Sequence, residues 1–137
     1  MAVVEGLIRA EENGNISFGD YSQTEKKKLD GFSHQGKSYK VKTFREITRL
    51  ERDGAFVYES TPGTTVLDFQ AEDDKLAFRL ESDEDAEITV GLAEETEYKV
   101  LVDGNEIGVL KSSLSGKLTF SVELNPGEPV SVEIIKA

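Results

Sequence analysis

At 137 residues the chain suits one domain, or two very small ones sharing a core, and it contains neither cysteine nor tryptophan. Without cysteine, disulfides and thiolate-based zinc, iron–sulfur or nucleophilic chemistry are excluded, which fits a reducing compartment. The net charge of −11 falls on residues 61–137, which carry 17 acids and 6 bases against 10 and 10 in residues 1–60, so nucleic acid and anionic membranes are poor partners.

Residues 1–9 show neither the basic start nor the apolar run of a signal peptide, because Glu5 interrupts the first apolar stretch. No apolar run approaches the ~20 residues of a membrane helix. A cytoplasmic location is the expectation.

The elements then follow as short alternating runs separated by turns. Glu12-Asn13-Gly14-Asn15 divides residues 6–10 from 15–21. The Glu25-Lys26-Lys27-Lys28 run has the composition of a solvated flank, and residues 22–29 are one of two places where a helix would fit. His34-Gln35-Gly36-Lys37 leads into residues 38–44, where Tyr39 and Val41 alternate with lysines. Residues 43–50 are ambiguous: Thr43-Phe44-Arg45-Glu46 has the form of a capping box, with Phe44, Ile47 and Leu50 at helical spacing. Yet residues 47–52 and 55–60 face each other across Asp53-Gly54, a two-residue turn that favours positive φ at both positions. Turn chemistry outweighs a three-residue periodicity, and a hairpin is expected.

Beyond residue 63 the rhythm is clearest. Runs at 66–70, 75–81, 87–92, 97–102, 107–111, 117–123 and 130–136 recur at near-regular spacing. Leu118, Phe120 and Val122 alternate with Thr119, Ser121 and Glu123, one apolar face against one polar. The pattern predicts a mainly-β protein, an antiparallel β-sandwich that is immunoglobulin-like in its C-terminal half and preceded by β-hairpins. Residues 1–63 form the hairpin region and 64–137 the sandwich, as two parts or as one continuous domain.

The chemistry-bearing residues are sparse. His34 stands alone in a turn, with no Gly-x-Ser-x-Gly elbow to supply a nucleophile. Neither phosphate-binding glycine signature occurs, so no nucleotide cofactor is expected. Asp83, Asp85 and Glu87, near Glu72-Asp73-Asp74, offer hard oxygens for Ca²⁺, although not at EF-hand spacing. Tyr39 and Tyr58 are the aromatic candidates for an exposed sugar platform.

The segment from Thr43 to Val66, TFREITRLERDGAFVYESTPGTTV, together with Ile16-Ser17-Phe18-Gly19-Asp20-Tyr21, resembles a family of small β-proteins from anaerobic Firmicutes. Some members are labelled endosialidase, a label that implies cleavage of polysialic acid. The chain has no Trp and lacks the Ser-x-Asp-x-Gly-x-x-Trp box of the large tailspike enzymes, so no catalytic residue carries over.

The functional expectation is a non-catalytic structural or interaction protein that works through homo-oligomeric assembly. Its neutral, lysine-bearing first half would dock on the acidic second half of a neighbour. The alternative is a carbohydrate-directed binding module or glycan hydrolase accessory, with a glycan as partner.

Overall fold

Period-two alternation, broken by Gly-containing turns, dictates the architecture of residues 3–137, which the computed structural model describes. The signal-peptide reading also touches Met1 and Ala2, which lie outside the described residues. The described residues form thirteen strands and no helix: β1 (Ile8–Ala10), β2 (Ile16–Phe18), β3 (Lys27–His34), β4 (Lys37–Phe44), β5 (Ile47–Arg52), β6 (Ala55–Thr61), β7 (Thr65–Ala71), β8 (Lys75–Glu81), β9 (Ala86–Gly91), β10 (Glu97–Val102), β11 (Asn105–Lys111), β12 (Lys117–Val122) and β13 (Val130–Lys136). Among these residues no helix is long and apolar enough to cross a membrane.

The strands make two antiparallel sheets packed face to face. Sheet A runs β1-β2-β7-β8-β13-β10-β11 and sheet B runs β12-β9-β6-β5-β4-β3. The ambiguous segment is the hairpin: β5 and β6 pair with Leu50 opposite Tyr58, and Asp53 and Gly54 both take positive φ (50° and 80°). A helix at residues 22–29 does not form, and β3 starts within that stretch.

All seven runs beyond residue 63 become strands, but they divide five to two between the sheets rather than four to three as in an immunoglobulin constant domain. The two in sheet B, β9 and β12, are extended by four strands from the first half through the β6–β9 pairing. In sheet A, β2 of the first half pairs with β7 of the second. Both sheets therefore draw strands from either side of residue 63, which makes one continuous sandwich.

One apolar cluster fills the space between the sheets. At its centre the Tyr58 ring of sheet B meets Phe18, Phe69 and Phe78 of sheet A edge-on, with centroids 5.4, 6.4 and 5.7 Å away. The Tyr58 hydroxyl is fully buried, and burial raises its ionisation well above the ordinary phenol value. It is satisfied by Thr64 Oγ1 at 2.8 Å, which also bonds Ser60 Oγ at 2.9 Å. Thr48 Oγ1 donates to the Thr64 carbonyl at 2.8 Å and accepts from the Thr64 amide. Thr43 Oγ1 bonds Thr48 Oγ1 and accepts the Asp20 amide, so a chain of buried hydroxyls ties β4, β5 and β6 to the segments that enter sheet A.

At the other margin, Asp68 sits in a bulge of β7 with φ 52° and accepts hydrogen bonds from Arg79 and Asn13. The Arg79 bond, above all, holds its carboxyl below the ordinary value of 3.8. Glu11 is lowered as well, first by the Ser17 hydroxyl and then by Arg9.

Thr64→Val leaves the Tyr58 and Ser60 hydroxyls without their shared partner in the core, and should cost about 2 kcal/mol in urea denaturation. A depressed carboxyl stabilises the fold fully above its unfolded pKa and loses that contribution as pH falls through the lower folded value. Stability should therefore decline as pH drops below about 4, and Asp68→Asn should flatten that decline.

Candidate functional site

Alternation that turns Tyr39, Val41 and Thr43 of β4 into the core turns Lys40 and Lys42 out to solvent. Register then aligns the outward residues of all six strands in sheet B. Lys28 faces Lys42, Lys42 faces Arg49, Arg49 faces Glu59, Glu59 faces Thr89, and Thr89 faces Thr119. One row of side chains thus crosses the whole sheet, cationic at the β3 side and neutral at the β12 side.

The first three members are like charges on directly opposed strand positions, an arrangement that destabilises a sheet. Lys40 stands beside them, opposite Glu51. Lys28, Lys40, Lys42, Arg49 and Glu51 line a shallow depression of about 150 Å³. Arg49 is engaged, with Glu59 at 3.3 Å and Glu51 at 3.5 Å. Among the described residues, Lys28, Lys40 and Lys42 have no carboxylate partner.

Phe56 forms the middle of the same face. Its ring lies between the Arg49 guanidinium, 5.3 Å from the centroid, and the Lys117 ammonium at 4.7 Å. Strand β9 comes close enough to β6 that a Cβ at Gly91 would strike the Phe56 carbonyl oxygen. The outer face of sheet A carries three ion pairs: Lys75 with Glu133 at 3.3 Å, Lys99 with Glu106 at 3.7 Å, and Arg79 with Asp68. Its last strand, β11, is hydrogen-bonded only to β10 and exposes Ile107 (49%) and Val109 (50%).

The acidity is concentrated in turns. Residues 81–85 and 123–128 carry Glu81, Asp83, Glu84, Asp85, Glu123 and Glu128 with no basic residue. The two turns are joined where Leu124 donates its amide to Asp85 Oδ1 at 2.9 Å.

The residues singled out in the sequence are not brought together. Asp85 caps that turn contact, while Glu87 lies two positions on, in β9, opposite Ser121. Asp83 lies close enough to Tyr21 to act on its hydroxyl, whose pKa is pushed up to about 12, mainly by burial and then by Glu81, Asp83 and Asp20. Among the described residues no three histidine or acidic side chains converge on a metal position, so Asp83, Asp85 and Glu87 are not a Ca²⁺ cluster. His34 Nε2 donates to the Gly14 carbonyl at 2.9 Å, fastening the β3–β4 turn of sheet B to the β1–β2 turn of sheet A.

Neither tyrosine is an exposed platform. Tyr58 is fully buried and Tyr39 is 9% exposed, because strand parity places both on the inner face. The lysine row was visible only in part: the alternation in residues 38–44 marked Lys40 and Lys42 as outward, but nothing local showed that Lys28 and Arg49 would lie beside them.

No protein-family model matches the chain, and no match is found among curated proteins or solved structures.

Lys42→Glu places a carboxylate between Lys28 and Arg49. It should stabilise the isolated chain by roughly 0.5 kcal/mol at low salt. The gain should vanish near 1 M salt, where the Debye length is about 3 Å, as read by urea denaturation at both ionic strengths.

Proposed function

We propose that this protein is a non-catalytic interaction module that assembles with copies of itself inside the cell. The observation that carries the reading is the row Lys28–Lys42–Arg49, three opposed cations of which the two lysines lack a counter-charge. A sheet that keeps like charges abreast gives up stability in the isolated chain, and an external anion restores it.

The complementary surface is on the same chain. The joined turns present the exposed carboxylates of Asp83, Glu84, Glu123 and Glu128, with no basic residue in residues 82–85 or 123–128, at a strand end rather than on the face of sheet B. Docking one on the other is head-to-tail, so copies close into a ring or extend as a filament. Phe56, flanked by two cations, supplies apolar area beside the charged depression. The free edge of β11 gives a second route, through main-chain hydrogen bonds to a neighbour's strand.

Sedimentation velocity at about 0.05 M and 1 M salt tests the reading, since screening weakens exposed charge pairs. The expected result is an oligomer at low salt that dissociates at high salt, and a Lys42→Glu variant that stays monomeric at both. Wild-type protein that is strictly monomeric at both ionic strengths refutes assembly; an oligomer indifferent to salt and to Lys42→Glu refutes this interface.

A further inference from the structure

The cationic depression on the outer face of sheet B has a chemistry of its own, apart from any contact between copies. Lys28 of β3, Lys42 of β4 and Arg49 of β5 stand abreast there, and together with Lys40 they line its walls. Neighbouring strands lie roughly 4.8 Å apart, so the row from Lys28 to Arg49 spans about 10 Å.

The four cations are not equivalent. The Arg49 guanidinium is taken up by Glu59 at 3.3 Å and Glu51 at 3.5 Å, and it also lies over the Phe56 ring. Its donors are therefore engaged with groups of its own chain. The ammonium groups of Lys28, Lys40 and Lys42 make no ion pair and no side-chain hydrogen bond among the described residues. Lys42, the middle member of the row, is half-buried, so water screens its charge less than that of exposed Lys28 and Lys40.

An ammonium is a compact point charge with three rotatable donors, and it lacks the planar fork that matches a carboxylate. Three of them around one shallow floor suit an anion of high charge density with oxygens on every side, which describes a phosphoryl group. A single phosphate covers only part of a row about 10 Å long, whereas two or three phosphoryl groups joined end to end meet most of it. A longer polyanion is repelled, because the row continues past Arg49 to Glu59, Glu51 closes one side of the depression, and the whole chain carries −11. A nucleobase gains no stacking platform, since the Phe56 ring beside Arg49 is already covered by Arg49 and Lys117.

We infer that the depression binds a condensed inorganic phosphate, of the pyrophosphate or tripolyphosphate kind, through Lys28, Lys40 and Lys42. The same lysines form the cationic half of the proposed contact between copies, so bound phosphate displaces a neighbour's acidic turns. That consequence rests on the assembly reading; the binding itself does not.

Titration calorimetry of the full chain with tripolyphosphate, at about 0.1 M salt, tests the site. Tripolyphosphate should bind, orthophosphate should bind about tenfold more weakly, and neither ATP nor a short oligothymidylate should bind more tightly than tripolyphosphate. Lys42→Gln should weaken binding about tenfold, whereas Lys75→Gln, which removes the same charge from sheet A, should change it by no more than about twofold. Unaltered circular dichroism of each variant shows that the fold is intact. No binding by the wild-type protein, equal losses from Lys42→Gln and Lys75→Gln, or tighter binding of ATP or the oligonucleotide overturns the site. Sedimentation velocity with tripolyphosphate at matched ionic strength tests the displacement: oligomers should dissociate, and oligomers that persist overturn it. Wild-type protein that is monomeric throughout removes the assembly reading and the displacement with it, while calorimetry alone decides the site.

Discussion

The structure depends on Tyr58 being held from both ends. Its ring reaches out of sheet B into three phenylalanines of sheet A, and its hydroxyl anchors the Thr64, Ser60, Thr48 and Thr43 chain. A buried polar chain of this kind is stabilising only when every member is paired, and here each hydroxyl has a partner. The ring therefore sets how the two sheets face each other, while the hydroxyl fixes where the segment after β6 leaves one sheet for the other. A phenylalanine could supply the first constraint but not the second.

Once the inner faces are committed in this way, the outer faces have no freedom. A strand that buries Tyr39, Val41 and Thr43 must present Lys40 and Lys42, and the pairing of β3 and β5 on either side brings Lys28 and Arg49 level with Lys42. The cationic row is a consequence of core register as much as of the lysines themselves. Sheet A carries three outer ion pairs, each formed across adjacent strands or close to a bulge.

The same register shapes the open end of the sandwich. Arg52 closes β5 and stands opposite Tyr39, so a residue from the end of one strand and a residue near the start of another meet where the sheets part. His34 bridging to Gly14 holds the rim of that opening by joining a turn of each sheet. The rim is thus shaped by turn contacts that cross between layers, whereas the sheet B face is shaped within one layer.

Much of this was legible in the residues. The alternation of Leu118, Phe120 and Val122, the Asp53-Gly54 turn and the seven evenly spaced runs beyond residue 63 determine strands, their inward faces and the hairpin at β5–β6, because period and turn stereochemistry are local properties. Which sheet each strand joins is not local: β9 and β12 alternate like their neighbours, yet they cross to sheet B and make the two halves one domain. Tyr39 and Tyr58 carry the same lesson, since an aromatic on a strand suits a platform or a core equally until parity with Val41 and Leu50 is known. The carboxylates at 83–87 are close in sequence, but Asp85, in the turn before β9, is taken up by the Leu124 amide, while Glu87, within β9, stands opposite Ser121. Sequence by itself determined the strands and the total charge; only the tertiary structure decided which charges stand together, because cross-strand neighbours are set by pairing between segments far apart in the chain.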